Sequence, residues 1–167
     1  MISVKPVLNW KEVKAWLRSG NRPLDHLEGY KHESWFAGGA EALAFICRSI
    51  ARSKRRRINL YLPAYFCGQT LRFLRSVNVN LVFYDLDAQL SPDYKEIKAS
   101  HRRSSVDVLL HVHYFGAVNG QRVSRDLADE LGSVLIEDCA HLSSPFVLSN
   151  WVGEYLVFSP HKHFPLP

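Results

Sequence analysis

No stretch of this chain approaches the roughly 18 consecutive apolar residues that a membrane-spanning helix requires. Met1–Trp10 also lacks a compact apolar core followed by small residues, so neither a span nor a signal peptide is indicated. The expected location is the cytoplasm. Cysteine is scarce, and Cys47, Cys67 and Cys139 are odd in number, lie among apolar neighbours and lack metal-ligand spacing. They read as reduced thiols rather than a disulfide framework. No internal repeat, low-complexity segment or strong interior linker divides the sequence.

What is present is an ordinary globular composition. Of 167 residues, 47% are hydrophobic and 22% charged, enough for one sizeable core. The net charge of +5 comes largely from the run Arg52-Ser53-Lys54-Arg55-Arg56-Arg57. This run falls between a helical segment and a strand without interleaved aromatics, so it reads as a solvated connection, with phosphate contact as the alternative. Nucleic acid is not the expected partner.

Trp10, Val13, Trp16 and Leu17 have helical spacing behind Asn9, which predicts an amphipathic helix over 9–19. A polar stretch with glycines and a proline runs from Ser19 to Glu33. A second helix is expected over Glu41–Ala51, reached through Ala37-Gly38-Gly39-Ala40. Strands are then expected at Ile58–Leu62, Leu81–Tyr84, Val106–His113, Val134–Glu137 and Tyr155–Phe158, with helices at Gly68–Val77 and Val123–Leu131. Near-continuous apolar strands alternating with helices predict a three-layer α/β/α unit on a mostly parallel sheet. The expected division is an N-terminal helix and connection over 1–34, then one α/β domain over 35–167.

In such sheets ligands sit beyond the carboxyl ends of the strands. Those ends deliver Pro63-Ala64-Tyr65-Phe66-Cys67, Asp85, His113-Tyr114-Phe115-Gly116, Asp138 with His141, and Ser159 with Lys162. A carboxylate ending one apolar strand and a lysine just past another is the pairing that suits pyridoxal phosphate. The acid keeps the ring nitrogen protonated, and the amine condenses with the aldehyde and then moves a proton. Asp138 and Lys162 take those parts. The cofactor's phosphate suits a helix start, where unpaired N–H groups and the dipole favour an anion, and Gly38-Gly39-Ala40 opens one.

Taken in order, Leu62-Pro63-Ala64-Tyr65-Phe66-Cys67, Phe83-Tyr84-Asp85-Leu86-Asp87, Val112-His113-Tyr114-Phe115-Gly116, Ile136-Glu137-Asp138-Cys139-Ala140-His141 and Ser159-Pro160-His161-Lys162 with Pro165 resemble the DegT/DnrJ/StrS sugar aminotransferases. That family depends on pyridoxal phosphate and has the aspartate aminotransferase fold. The resemblance runs from about Trp35 to Pro167. It implies that Lys162 is the cofactor lysine, Asp138 the ring-nitrogen partner, His141 the neighbour of the phenolic oxygen and Ser159 a phosphate ligand. An aromatic from the Cys67 region, Phe66 or Tyr65, would stack on the ring.

The same resemblance implies, for the full-length parent, amino transfer with glutamate as donor to a nucleotide-linked keto-sugar, and assembly as a homodimer. Two departures stand out. Gly38-Gly39-Ala40 replaces the family's usual Ser-Gly-Thr, keeping the backbone donors and losing hydroxyls. The sequence also stops at Pro167, where family members continue, so it is expected to be an N-terminal portion that is at best a weak pyridoxal phosphate binder and not a competent enzyme alone. Two rival readings are a fold that has lost turnover and a metal site built on His111, His113, His141, His161 and His163. As strand residues, His111 and His113 are expected to share a face.

Overall fold

The computed structural model describes residues 34–102, 104–142, 151–159 and 162. The helix expected over 9–19 lies outside them, as do His161, His163 and Pro165.

Helix α1 (Gly39–Lys54) begins behind an extended Gly38 and buries Leu43, Ala44, Ile46, Cys47, Ile50 and Ala51. Those positions recur every three or four residues and form one stripe. Glu41 in the first turn and Arg52 and Lys54 in the last complement the helix dipole. Arg55 ends the helix in the left-handed region (φ 52°), its N–H meeting the Ala51 and Arg52 carbonyls. A glycine would adopt that conformation with less strain.

Strands β1 (Ile58–Pro63), β2 (Val79–Tyr84), β3 (Val108–Val112), β4 (Val134–Asp138) and β5 (Tyr155–Val157) form one sheet in the order β2-β1-β3-β4-β5. Every pairing is parallel. The connecting helices are α2 (Gly68–Arg75), α3 (Tyr94–His101) and α4 (Gln121–Leu131). Alternate strand residues supply two cores. On one face Leu60, Leu62, Leu110 and Ile136 meet α1 and Leu74 of α2, and on the other Tyr61, Leu109 and Leu135 meet Ile97 of α3 and Leu127 of α4. The expected three-layer α/β unit is thus present. Truncating a fully buried leucine such as Leu110 to alanine would cost roughly 2–5 kcal/mol.

The strands and helices expected after residue 34 appear with ends shifted by a few residues, and α3 is additional. Asp93 caps α3 by accepting from the Lys95 and Glu96 amides, and Ile97 is its buried residue. Eight residues with one apolar anchor leave little periodicity to read.

The basic run is more than a solvated connection. Arg56 grips Asp107 through two hydrogen bonds (2.5 and 2.8 Å), Lys54 Nζ lies 3.0 Å from it, and the Asn59 amide donates to it at 2.9 Å. Asp107 is 1% exposed. Burial alone would raise its pKa, but the bonds from Arg56, Asn59 and Lys54 prevail and hold the carboxyl below its ordinary value.

Candidate functional site

The chain runs from β1 to β2 in one direction and reaches β3 on the other side of β1, so the sheet has a switch point between β1 and β3. A cleft of about 500 Å³ opens there, beyond the carboxyl ends of β1, β3, β4 and β5. Gly38, Gly39 and Ala40 line it from the start of α1, and Phe66 and Cys67 from the turn after β1. Asp138 and His141 line it after β4, with Ser159 and Lys162 after β5. All eight site residues expected from sequence therefore converge on one space. Asp85 and His113 do not line it. The Asp85 amide is held by Glu96, and His113 lies buried beyond the opposite face.

Asp138 ends β4 with its side chain half-buried in the cleft. Its Oδ1 accepts from the Ala140 amide at 2.9 Å. Burial raises its pKa, and the Ala140 bond with the charges of Lys162, His141 and His113 offsets only part of that rise. Lys162 is exposed, and its amide donates to the Ser159 carbonyl at 3.1 Å. Its positive charge favours the ionised forms of both Asp138 and Cys67. The Cys67 thiol is lowered first by the Thr70 backbone bond, with burial opposing and Lys162 contributing least.

The start of α1 is packed directly against the end of β5. A Cβ added to Gly39 would lie 3.5 Å from Val157 Cγ1 and 3.6 Å from Ser159 Oγ. The helix's unpaired amides and the Ser159 hydroxyl thus stand side by side, a donor set for an anion. Glu41 also lines the cleft, its Oε2 3.0 Å from where a Gly38 Cβ would stand, and puts negative charge beside that cradle.

Tyr114, which sequence reasoning noted without a role, braces the cleft. Its hydroxyl donates to the Tyr65 carbonyl, joining the turns after β3 and β1. Burial, reinforced by the charge of Asp138, raises its pKa, so the hydroxyl keeps its proton. Tyr65 is 60% exposed with its ring 5.6 Å from that of Tyr114, whereas Phe66 is half-buried against the core below. Phe115, in the left-handed region (φ 50°), stacks on His141 at 5.4 Å and 16°. Gln69 and Thr70 line the cleft too. Their place in the first turn after β1 was the available signal, and sequence reasoning did not use it.

The residues fit pyridoxal phosphate by their chemistry: backbone donors and a hydroxyl for a phosphate, a carboxylate for a ring nitrogen, an amine for an aldehyde. His111 and His113 do share a face, with rings 4.8 Å apart, on the other side of the sheet. Among the described residues no group of three or more His, Cys, Asp or Glu is arranged to hold a metal ion. Among them, too, no helix is long and apolar enough to cross a membrane.

The model of the DegT/DnrJ/EryC1/StrS aminotransferase family matches residues 27–154, a span that includes Asp138 and His141 and ends before Ser159 and Lys162. No curated protein sequence matches the chain. Among solved structures, a DegT DnrJ EryC1 StrS aminotransferase from Brucella abortus is 20% identical with a TM-score of 0.53, over 64% of this chain and 30% of that one. 3-Amino-5-hydroxybenzoic acid synthase is 17% identical with a TM-score of 0.65, over 85% and 41%. GDP-4-keto-6-deoxymannose-3-dehydratase (ColD), solved with bound GDP-perosamine, is 19% identical with a TM-score of 0.54, over 64% and 28%. The chain thus spans between 28% and 41% of the length of these structures. These likenesses carry the fold, and the match over 27–154 carries the family: the chain belongs to the DegT/DnrJ/EryC1/StrS aminotransferases, whose members depend on pyridoxal phosphate.

Proposed function

We propose that this chain forms the pyridoxal phosphate cleft of an aminotransferase that moves an amino group from glutamate to a keto-sugar carried on a nucleotide. The convergence of Asp138 and Lys162 on one cleft, beside the glycine-opened start of α1, carries this reading. When bound, the cofactor supplies an aldehyde that takes up amino groups and a ring that stores the electron pair released at the substrate carbon.

The chain's own residues would then divide the work. The amides opening α1 and the Ser159 hydroxyl hold the phosphate. Asp138 holds a proton at the ring nitrogen. Burial raises the Asp138 pKa, and a protonated ring nitrogen beside it would restore the ionised form. Lys162 would be the amine that holds the cofactor's aldehyde, and that amine would be the group placed to move a proton at the substrate carbon. His141, its ring stacked on Phe115, would be the neighbour of the ring's phenolic oxygen.

The nucleotide keto-sugar and the glutamate donor rest on family resemblance. Homodimer formation does too, supported by exposed aromatics such as Trp35 (70%), Tyr65 (60%) and Phe115 (69%). Amino transfer from glutamate to a panel of nucleotide keto-sugars, followed by chromatography, tests the reaction. Formation of an amino-sugar product supports it. Turnover of free amino and keto acids alone would remove the sugar while leaving the cofactor chemistry, and absence of any cofactor binding would remove both.

A further inference from the structure

Glu137 is fully buried and has no place in the chemistry described above. It precedes Asp138 on β4, and the pleat sends it to the other face of the sheet, away from the cleft. There its Oε2 meets His113 Nε2 at 2.8 Å, with neither side chain exposed. Its Oε1 accepts from the amides of Val152 (2.8 Å) and Gly153 (2.6 Å), the residues that lead into β5. Burial would raise the Glu137 pKa, but the bonds from His113, Gly153 and Val152 prevail and hold it below the ordinary value. The carboxylate is therefore ionised and can only accept, so His113 Nε2 is the donor.

Both partners lead back to the site. The His113 amide donates to the Asp138 carbonyl at 3.0 Å, and β5 pairs with β4 through Glu137↔Leu156 and Asp138↔Val157. Just beyond β5 come Ser159 and Lys162, linked by the Lys162 amide. Gly153 is fitted to the same arrangement, since a Cβ there would lie 3.1 Å from Glu137 Cγ and 3.1 Å from the Leu135 carbonyl. β5 is only three residues long, with few ladder bonds to fix its own register.

We infer that Glu137, held by His113, is a positioning residue for Lys162. By gripping the chain ahead of β5 it sets the register that delivers Ser159 and Lys162 to the side of the cleft where Asp138 lies. This rests on the reading of Lys162 as the cofactor lysine, and its test separates the two.

The test compares Glu137→Gln, Glu137→Met and Gly153→Ala with the parent chain. Each is mixed with pyridoxal phosphate, reduced with borohydride and mapped for label, and amide exchange over 155–157 is measured without cofactor. Glutamine keeps an oxygen for both amides and can donate to the other tautomer of His113, so its label at Lys162 should stay within about threefold of the parent. Methionine fills the space without accepting, and label at Lys162 should fall about tenfold or more while exchange over 155–157 accelerates. Gly153→Ala should do the same, and it decides the matter if the methionine variant fails to fold. Parental labelling and exchange in the folded methionine or alanine variant would overturn the inference. A parent chain labelled away from Lys162 would instead overturn the cofactor assignment, and faster exchange in the variants would still show the register effect.

Discussion

Glu137 and Asp138 are consecutive in β4 and face opposite sides of the sheet, one gripping the chain that leads into β5 and the other lining the cleft. Their environments pull the two acids apart. Hydrogen bonds hold Glu137 below the ordinary carboxylate value, whereas burial holds Asp138 above it. A raised folded-state pKa means the ionised form of Asp138 is disfavoured by the fold. Asp138→Asn is therefore expected to be neutral or stabilising by up to about 1 kcal/mol. It should at the same time weaken pyridoxal phosphate binding. Denaturant melts and a spectroscopic cofactor titration on the same preparation check both halves, and a clear loss of stability would contradict the electrostatic reading.

Glu41 places negative charge beside the anion cradle at the start of α1. Its removal exchanges a favourable helix-dipole contact, worth about 0.3–1 kcal/mol, for a cradle that repels phosphate less. Glu41→Gln should tighten pyridoxal phosphate binding by about three- to tenfold at low salt, with the gain shrinking as salt rises. A spectroscopic titration at two ionic strengths measures it.

His111 is buried, with Nδ1 2.8 Å from Ser124 Oγ. Burial, aided by His113 and opposed by Glu137 and the Asn119 backbone, lowers its pKa from 6.5 to about 4. Between those values the unfolded chain binds a proton that the folded chain refuses, so stability falls as pH drops through the window. The loss is on the order of 3 kcal/mol when complete. His111→Asn should flatten this part of the curve, as thermal melts from neutral to acidic pH would show.

Asp107 adds a second loss of stability on the acid side of the same pH scan. Its folded pKa lies below the ordinary 3.8, so its contribution is present above that value and lost as pH falls beneath it. Asp107→Ala leaves Arg56, Lys54 and the Asn59 amide without their acceptor and should cost about 2 kcal/mol at neutral pH. Denaturant melts check the size.

The strands were legible because a sheet covered on both faces demands near-continuous apolar runs, and Ile58–Pro63 and Val108–Val112 supply them. The cleft was legible because a parallel sheet gathers its strand ends on one edge, which put Asp138 and Lys162 together despite their separation in sequence. Partnerships across the sheet were not. Asp107 reads as one polar residue inside an apolar run until Arg56, 51 residues earlier, is seen to fold over it. Glu137 stands inside the Ile136–His141 motif, where its neighbours in sequence point to no role for it. The two-residue period already put it on the face opposite Asp138, but its bond to Gly153 spans 16 residues that no local pattern connects.

Reduction of the chain with borohydride in the presence of pyridoxal phosphate, followed by peptide mapping, tests the central assignment most directly. The account predicts label on Lys162, lost in Lys162→Ala and displaced by glutamate added before reduction. Label on another lysine, unchanged in Lys162→Ala, would contradict it.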